Sequence, residues 1–426
     1  MKLTGILGII VILILAWAFS KDRKTVNWKA IGWGLGLQTL FALFVFVIPA
    51  GSKVFLFINK LVVAVLSCAS AGMEFVFGNL AVGPGNPGSL GYFFAFQALP
   101  SIVFFAALVG VLYYLGIMQA VIKGFAWVFT KLMRISGAES LSASSNIFVG
   151  VESSLIIKPY LKNMTRSELN TVLTVGMATV ASSMLAVYIM VLKDQFPTIA
   201  GHLVSASIMN APAAIVLSKL LYPENKEPET LGLHIKPHYD KPNSLFESIL
   251  ESANSGVKLI VGIAAMLLAF LGLVALLDKI MILVGQPLNG LFNSNIDFSL
   301  QGLLGYLFYP LTWLIGIPAE DVGVISRIIG ERIILSEVTA FQDLAIVIEQ
   351  GIISARSVVI TTYALTGFAH IASVAIFVGG YAALVPGRAG DLSKLGFRAL
   401  FGATLATLLS ASIAGIFYQN VSILSM

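Results

Sequence analysis

Two glutamates, Glu152 and Glu337, stand in largely apolar stretches of the chain. Burying a carboxylate in such surroundings costs several kcal/mol unless it is paired, hydrated or bound to a ligand. Each glutamate is therefore expected either to bind polar groups of a small molecule or to form an internal ion pair. Lys158 and Arg332 are the candidate partners for such a pair.

His370 is a third residue that could carry chemistry, because it lies in the interrupted part of another apolar stretch. A histidine there could hydrogen-bond a hydroxyl group of a ligand, or titrate near neutral pH. The alternative is a neutral imidazole that bridges two helices. Ser373, about one helical turn further on, would add a hydroxyl to the same face.

Four residues, Asn146, Val149, Thr179 and Val180, could together surround a small cation such as sodium. Hard cations take oxygen ligands. Asparagine and threonine side chains supply them, as do backbone carbonyls freed at breaks in helices. Most such asparagine and threonine residues instead cap or bridge helices, so spacing alone leaves both interpretations open.

The composition places these residues inside a membrane. Of 426 residues, 58% are hydrophobic and 11% are charged, whereas soluble domains average about 25% charged residues. The mean hydropathy is +0.92. The net charge of +5 is expected to lie in basic cytoplasmic loops, and no basic stripe with interleaved aromatic residues indicates a nucleic-acid partner.

Eight apolar segments are predicted to cross a bilayer, which takes about 20 residues per helix. The first is interpreted as an uncleaved span, because no small-x-small cleavage site precedes the charged residues that follow it. The eight segments are 3–19, 30–49, 95–117, 171–192, 198–222, 257–283, 358–384 and 395–422. Shorter or polar-interrupted segments lie between them at 52–80, 118–136, 139–161, 299–317 and 321–345.

The lysine and arginine residues predict the orientation, because they are enriched in cytoplasmic loops. Basic groups follow the first and third spans and separate the last two, so alternation places all three groups on the cytoplasmic side. The polar loop 223–244 falls on that side, and both termini are then periplasmic. Segment 118–136 carries three basic residues among bulky apolar ones, which predicts an amphipathic helix lying in the membrane interface rather than an extra span.

The two glutamates belong to a weak internal repeat. In 139–190 a polar segment around Glu152 precedes an apolar span interrupted by small and hydroxyl residues, and 321–380 repeat this plan around Glu337. By the span count the first unit enters from the cytoplasm and the second from outside. In secondary transporters such inverted repeats carry a binding site near the midplane, where interrupted segments of the two halves meet.

Several motifs of the chain occur together in one known family. Residues 146–152 read Asn-Ile-Phe-Val-Gly-Val-Glu, and the runs 158–169 and 176–181 follow. Later, 336–341 read Ser-Glu-Val-Thr-Ala-Phe and 363–370 read Tyr-Ala-Leu-Thr-Gly-Phe-Ala-His. In this order they resemble the hairpin and span motifs of the concentrative nucleoside transporter family, and the similarity covers most of the chain.

The resemblance implies a fold class and an assembly. The family is all-α and membrane-embedded, with eight transmembrane helices, two oppositely oriented re-entrant hairpins and interfacial helices in each protomer of a homotrimer. Projected onto this chain, it implies five parts. They are scaffold spans 1–117, first hairpin and broken span 118–192, scaffold 193–298, second hairpin and broken span 299–384, and last span 385–426.

The resemblance also implies roles for the polar residues. Glu337 and the position of His370 would bind ribose hydroxyls with Ser373 nearby, and Phe368 would supply apolar surface for the rings. Glu152 would contact the base. The family's sodium ion would lie at Asn146, Val149, Thr179 and Val180, all of which retain suitable oxygens.

Two departures from the family pattern concern the substrate. The family's Gly-Gln-Thr-Glu reads Gly150-Val151-Glu152 here, one residue short, so the amide and hydroxyl that read the base are missing. Val151 and Ser153 are the residues left beside Glu152, and His370 replaces an asparagine. The cation positions are intact. We therefore expect cotransport to persist, with an unusual nucleoside or a related small polar solute as substrate.

The sequence thus predicts a symporter of the bacterial inner membrane, driven by an inward sodium gradient and working by alternating access. Proton coupling is the alternative mechanism, and an ion channel is the alternative class, although polar residues confined to two hairpins and two breaks do not make a continuous pore. An enzyme is not expected, because the chain has no glycine-rich phosphate loop, HExxH or GxSxG motif. The single cysteine, Cys68, rules out a disulfide within the chain.

Overall fold

The computed structural model describes residues 2–292 and 295–418, and no β-strand occurs in that part of the chain. The predicted all-α fold is confirmed. The helices are α1 (Lys2–Ala18), α2 (Trp28–Phe46), α3 (Pro49–Phe77), α4 (Phe94–Gln97), α5 (Ser101–Tyr114), α6 (Ile117–Met133), α7 (Gly137–Asn146), α8 (Ser153–Ile156), α9 (Arg166–Ala178), α10 (Ser182–Leu192), α11 (Ile199–Leu221), α12 (Leu245–Phe292), α13 (Leu300–Leu314), α14 (Ala319–Ile334), α15 (Glu337–Glu349), α16 (Ala355–Leu365), α17 (Ile371–Leu384) and α18 (Ala389–Phe417).

The centre of the molecule is built from α11 and α18, which are buried along most of their length. Both helices are rich in alanine, serine, glycine and threonine on every face, and such small residues allow helix backbones to approach closely in a membrane. By contrast, α12 is strongly apolar and almost entirely exposed within the protomer. An exposed apolar helix of this length requires lipid or another subunit around it.

Seven helical stretches are long and apolar enough to cross a membrane, by length and composition and within the described residues. One of these candidates is Pro49–Ala81, where the segment 52–80, expected to be shorter or polar-interrupted, lies in one long helical stretch. Segment 3–19 forms the 17-residue α1, and 358–384 divides into α16 and α17. The last predicted span, 395–422, is α18 as far as residue 417, and residues 419–422 lie outside the described part.

Each of the two polar segments forms two consecutive helices joined by a turn, and these pairs are called the first and the second hairpin below. The first is α7 followed by the short α8, and α7 begins at a capping box in which Ser136 and Glu139 bond each other's backbone N–H groups. The second is α14 followed by α15, which begins after Ser336. Each hairpin is followed by an interrupted helix, broken between α9 and α10 at 179–181 and between α16 and α17 at 366–370.

The two breaks touch each other. The backbone N–H of Phe368 donates to the carbonyl of Thr179 across a distance of 3.3 Å. A Cβ atom on Gly367 would lie 2.5 Å from Thr407 Cγ2 and 2.8 Å from the Ala178 carbonyl oxygen. Only glycine fits this approach, so the sequence-predicted interruptions become one crossing point at the centre of the fold.

The basic loops meet at one end of the molecule. Lys21 Nζ donates to the hydroxyl of Tyr222 at 2.5 Å, and Arg398 Nη1 donates to the Leu221 carbonyl at 3.0 Å. Arg388 Nη1 donates to the Met164 carbonyl at 2.7 Å. The basic groups that follow the first span and separate the last two spans therefore lie near the same helix ends, at the start of the 223–244 loop.

One-sided burial characterises α6, the helix predicted to be amphipathic. Met118, Ile122 and Phe129 are buried, whereas Lys123 and Trp127 are exposed on the opposite side. This pattern is typical of a helix with one apolar and one polar face. Its location in the membrane interface stays a prediction.

Candidate functional site

Glu337 is the first residue of α15 and is fully buried at the turn of the second hairpin. The hydroxyl of Tyr188, on α10, donates to Glu337 Oε1 at 2.6 Å. The Tyr188 ring in turn stacks on Phe341 with 4.5 Å between ring centroids. The amino-terminal end of a helix also favours a carboxylate, so packing and electrostatics together fix this acid in the protein interior.

His370 lies directly against Glu337. Its Nε2 atom is 3.3 Å from Glu337 Oε2, yet the angles are not those of a hydrogen bond, and neither ring nitrogen has a hydrogen-bonding partner among the described residues. Phe368 covers the imidazole edge-to-face, with 4.6 Å between centroids. Buried polar groups are normally hydrogen-bonded, so the open carboxylate oxygen and imidazole nitrogens are matched to hydroxyl or N–H groups of a ligand.

Ser373 has a local role in the structure. Its hydroxyl donates to the His370 carbonyl at 2.6 Å and accepts from the His370 backbone N–H at 3.3 Å. These bonds satisfy backbone groups at the start of α17. Ser373 therefore orients the segment that presents His370, and its hydroxyl retains one acceptor position.

Glu152 has different surroundings from Glu337. It is exposed at the tip of the first hairpin and lines a cavity of about 310 Å³, with Tyr113 and Tyr239 among the other lining residues. Burial raises the pKa of the Tyr239 phenol above its usual value, so this residue stays a neutral hydrogen-bonding group. Lys158 is exposed and forms no ion pair within the described residues.

The other first-hairpin candidates, Val151 and Ser153, face α17. The hydroxyl of Ser153 is buried and lies 3.5 Å from that of Tyr381. A Cβ atom on Gly380 would lie 2.7 Å from Val151 Cγ2, so Val151 packs directly on the α17 backbone. These contacts place the tip of the first hairpin against α17, which is the second half of the broken helix α16/α17.

The four predicted cation ligands are all buried where the first hairpin meets the break after α9. Ser182, just after the break, donates both its N–H and its hydroxyl to the Phe148 carbonyl, at 2.8 and 2.7 Å. The four residues are Asn146 at the end of α7, Val149 in the hairpin turn, and Thr179 and Val180 in the break.

The oxygen atoms at this junction are ligands of the kind that a hard monovalent cation prefers. Asn146 Nδ2 donates to the Ser142 carbonyl at 2.9 Å, which leaves its Oδ1 buried and without a hydrogen-bonding partner in the described part of the chain. Only neutral oxygens are offered, and they lie at the carboxyl end of α9, where a helix carries partial negative charge. No cluster of three or more His, Cys, Asp or Glu residues suited to a metal ion occurs in the described ranges.

Three further residues belong to the buried site, and spacing did not predict their roles. Tyr188 holds Glu337, and Asn210 Nδ2 on α11 donates to the Thr366 carbonyl in the second break. Arg332 is fully buried and donates to the Ala364 carbonyl and to Thr407 Oγ1. No direct ion pair joins Arg332 to Glu337 in the described ranges, so the ion-pair alternative is not realised as a contact.

Three family profiles match the chain over most of its length. Residues 7–80 match the amino-terminal part and 202–415 the carboxy-terminal part of the Na+ dependent nucleoside transporters. Residues 95–195 match a profile described as nucleoside recognition.

Full-length relatives agree with these profiles. The chain is 36% identical to an uncharacterized transporter of Haemophilus influenzae, over 97% of both chains. It is 38% identical to rat sodium/nucleoside cotransporter 1, over 98% of this chain and 64% of that one. The chain thus spans somewhat less than two thirds of the mammalian relative.

Solved structures show the same fold. The chain superimposes on CNTnw in an inward-facing, substrate-bound state with a TM-score of 0.88 and 33% identity, over 97% of each chain. A variant of CNTnw in an intermediate state gives a TM-score of 0.88 and 32% identity, over 98% of this chain and 100% of that one.

Proposed function

The chain belongs to the Na+ dependent nucleoside transporter family, and on that premise we propose that it is a symporter that imports nucleosides or nucleoside-like polar solutes with sodium. One observation carries the proposal. The enclosed pair of Glu337 and His370 keeps unpaired polar atoms in the protein interior, and His370 ends the second break, which contacts the first break through Phe368 and Thr179. The oxygen of Asn146 is also buried and without a hydrogen-bonding partner in the described part of the chain.

Glu337 and His370 would bind hydroxyl groups of the solute. The carboxylate offers acceptors only, since its oxygen Oε1 is already oriented by Tyr188. The neutral imidazole offers one donor and one acceptor. Phe368, half-buried beside His370, supplies apolar surface on which a ring can lie.

Glu152, Val151 and Ser153 would recognise the other end of the solute. Glu152 is the exposed acidic group at the hairpin tip, and a carboxylate pairs with N–H groups such as those on the edge of a base. Val151 offers no polar group. The solute is therefore bound mainly through its hydroxyl groups and one acidic contact, which favours a polar ring system other than that of the common nucleosides.

Sodium would be held by Asn146, Val149, Thr179 and Val180 and would join the first hairpin to the broken helix. The ion would bring the positive charge that the acceptor-only junction lacks. Ser182 already bonds the hairpin turn to the break. Filling this junction would order the hairpin tip that carries Glu152, and so couple sodium binding to solute binding.

We place the protein in a bacterial inner membrane as a homotrimer with both termini outside the cytoplasm. The meeting of the basic loops at one end supports this orientation. The exposed apolar α12 supports a trimeric scaffold surrounded by lipid. The two hairpins would enter the membrane from opposite sides without crossing it.

The deciding experiment is uptake of a labelled nucleoside mixture into proteoliposomes, with an inward gradient of sodium or of choline. Accumulation only with sodium supports the proposal, and equal accumulation with choline under a proton gradient would show proton coupling instead. Glu337→Gln is expected to lower uptake about 10- to 100-fold, because a hydrogen bond to a charged group contributes about 1.5–3 kcal/mol. Normal uptake by a well-expressed Glu337→Gln protein would refute the role of this residue.

A further inference from the structure

Arg332 is a buried charge that the proposed transport mechanism does not use. It lies in the last turns of α14 and is fully enclosed. Burying a guanidinium without compensation is strongly unfavourable, yet no carboxylate pairs with it among the described residues. Its Nε and Nη2 atoms also lack hydrogen-bonding partners there.

The end of a helix provides a favourable interaction for the buried guanidinium of Arg332. Arg332 Nη1 donates to the carbonyl of Ala364, which belongs to the last turn of α16. The final carbonyls of a helix have no partner within it, and the carboxyl end carries roughly half a negative elementary charge. Arg332 is thus a fixed cation at the carboxyl end of the second broken helix.

The corresponding position of the first repeat has the opposite chemistry. The first hairpin arm, α7, ends at Asn146 and packs against α9, as α14 packs against α16. Asn146 brings no charge, and its buried Oδ1 is an acceptor without a partner in the described ranges. One repeat therefore holds a cationic side chain at its break, and the other presents only oxygens.

The carboxyl ends of α9 and α16 lie close together, so their partial negative charges act at one point. The carbonyl of Thr179 accepts from the Phe368 N–H at 3.3 Å, and Gly367 packs on the Ala178 carbonyl. Two carboxyl ends therefore concentrate about one negative elementary charge at the crossing point. A cation at each helix end would neutralise it.

We propose that the guanidinium of Arg332 takes, in the second repeat, the place that the coupling sodium takes in the first, so that one sodium ion accompanies each solute. This inference rests on the proposed sodium symport. The guanidinium of Arg332 is part of the chain, so it is not released with the solute. It therefore draws no energy from the sodium gradient. The inverted repeat thus has one exchangeable and one permanent cation.

The test replaces the charge at position 332 and measures the sodium dependence. Arg332→Gln removes the cation and keeps a hydrogen-bond donor, and Arg332→Lys keeps the cation without the planar fork. The matched control is Arg356→Gln. Arg356 is also buried and bonds the carbonyls of Gly316 at 3.1 Å and Gly415 at 2.8 Å, but it lies at the amino end of α16, away from the break.

Uptake of labelled solute and of radioactive sodium is measured in parallel in proteoliposomes. The wild type, Arg332→Lys and Arg356→Gln are expected to show a Hill coefficient for sodium of about 1. Arg332→Gln is expected to take up a second sodium per solute, with a Hill coefficient approaching about 2. The rise of the melting temperature with sodium concentration, measured in detergent, compares sodium binding to the same four proteins without a transport assay.

The outcomes separate this inference from the proposed function. A wild type that ignores sodium overturns the symport itself. A sodium-dependent wild type with an Arg332→Gln protein of unchanged Hill coefficient and flux ratio overturns only the role of Arg332. If Arg332→Gln does not fold, Arg332→Lys decides. A folded Arg332→Lys protein with one-sodium coupling supports the role of the charge, whereas loss of folding or transport in both variants overturns it, because restoring the cation then restores nothing.

Discussion

At the scale of single residues, the site depends on how Glu337 is held in an apolar interior. One oxygen accepts from Tyr188, and the other approaches His370. The start of α15 adds the favourable field of a helix end. These contacts keep the carboxylate in one position while leaving an acceptor for the solute.

Tyr188→Phe tests this arrangement, because it removes the hydroxyl and keeps the ring stacked on Phe341. A hydrogen bond to a charged group is worth about 1.5–3 kcal/mol, so we expect the half-saturating solute concentration to rise about 10- to 100-fold. Tyr418→Phe is the control, because its hydroxyl is buried and has no hydrogen-bonding partner among the described residues. Equal effects of the two substitutions would argue against a special role for Tyr188.

At the scale of helices, function depends on where α9/α10 and α16/α17 are interrupted. The sequence predicted both breaks, because small and hydroxyl residues interrupt long apolar runs at matching positions of a repeat. It did not predict the partners Tyr188 and Asn210. Those contacts join residues 149 and 156 positions apart, and no local pattern encodes such distant packing.

Helix boundaries were predicted less well than breaks. The segment 52–80 was not counted among the spans because polar residues are scattered through it, yet it forms one continuous helix, α3, as far as Phe77. Helix continuity depends on backbone propensity and packing over many residues. Isolated serine, lysine or asparagine residues do not end a helix, whereas the Thr-Gly pair at 366–367 lies at a break that another backbone approaches.

Gly367→Ala tests the crossing of the two breaks. The added methyl would meet Thr407 Cγ2 and the Ala178 carbonyl below van der Waals distance, and overpacking of this kind costs about 1–3 kcal/mol. We expect a lower melting temperature and uptake reduced at least about tenfold, on the same free-energy scale. Gly379→Ala is the control, since nothing lies within 4 Å of its added Cβ, and it should transport normally. An unaffected Gly367→Ala protein would show that the breaks are not held in contact.

At the scale of the whole molecule, one buried ion pair joins the first hairpin to the central helix. Lys219 Nζ on α11 lies 2.5 Å from Glu139 Oε1 on α7, and both side chains are almost completely buried. Lys219 also donates to Ser167 at 3.0 Å. Lys219 therefore connects the base of the first hairpin with α9 and α11.

Removing one partner of this pair leaves a buried charge without its nearest counter-charge, which costs up to about 3–5 kcal/mol. Lys219 Nζ would then keep only the more distant Glu224 Oε2, at 3.7 Å. Lys219→Met alone and Glu139→Gln alone are therefore expected to lower the melting temperature in detergent strongly. The double variant should recover most of the loss, because no lone charge remains. Additive losses in the double variant would show that the two side chains act independently.

The shortened tip of the first hairpin has a structural consequence. Residues 147–152 lie between α7 and α8 and belong to neither helix. Deleting one residue there changes no helical register and leaves the capped base of α7 and its ion pair untouched. We therefore expect a one-residue change in length at this tip to alter the position of Glu152 while the base of the hairpin stays unchanged.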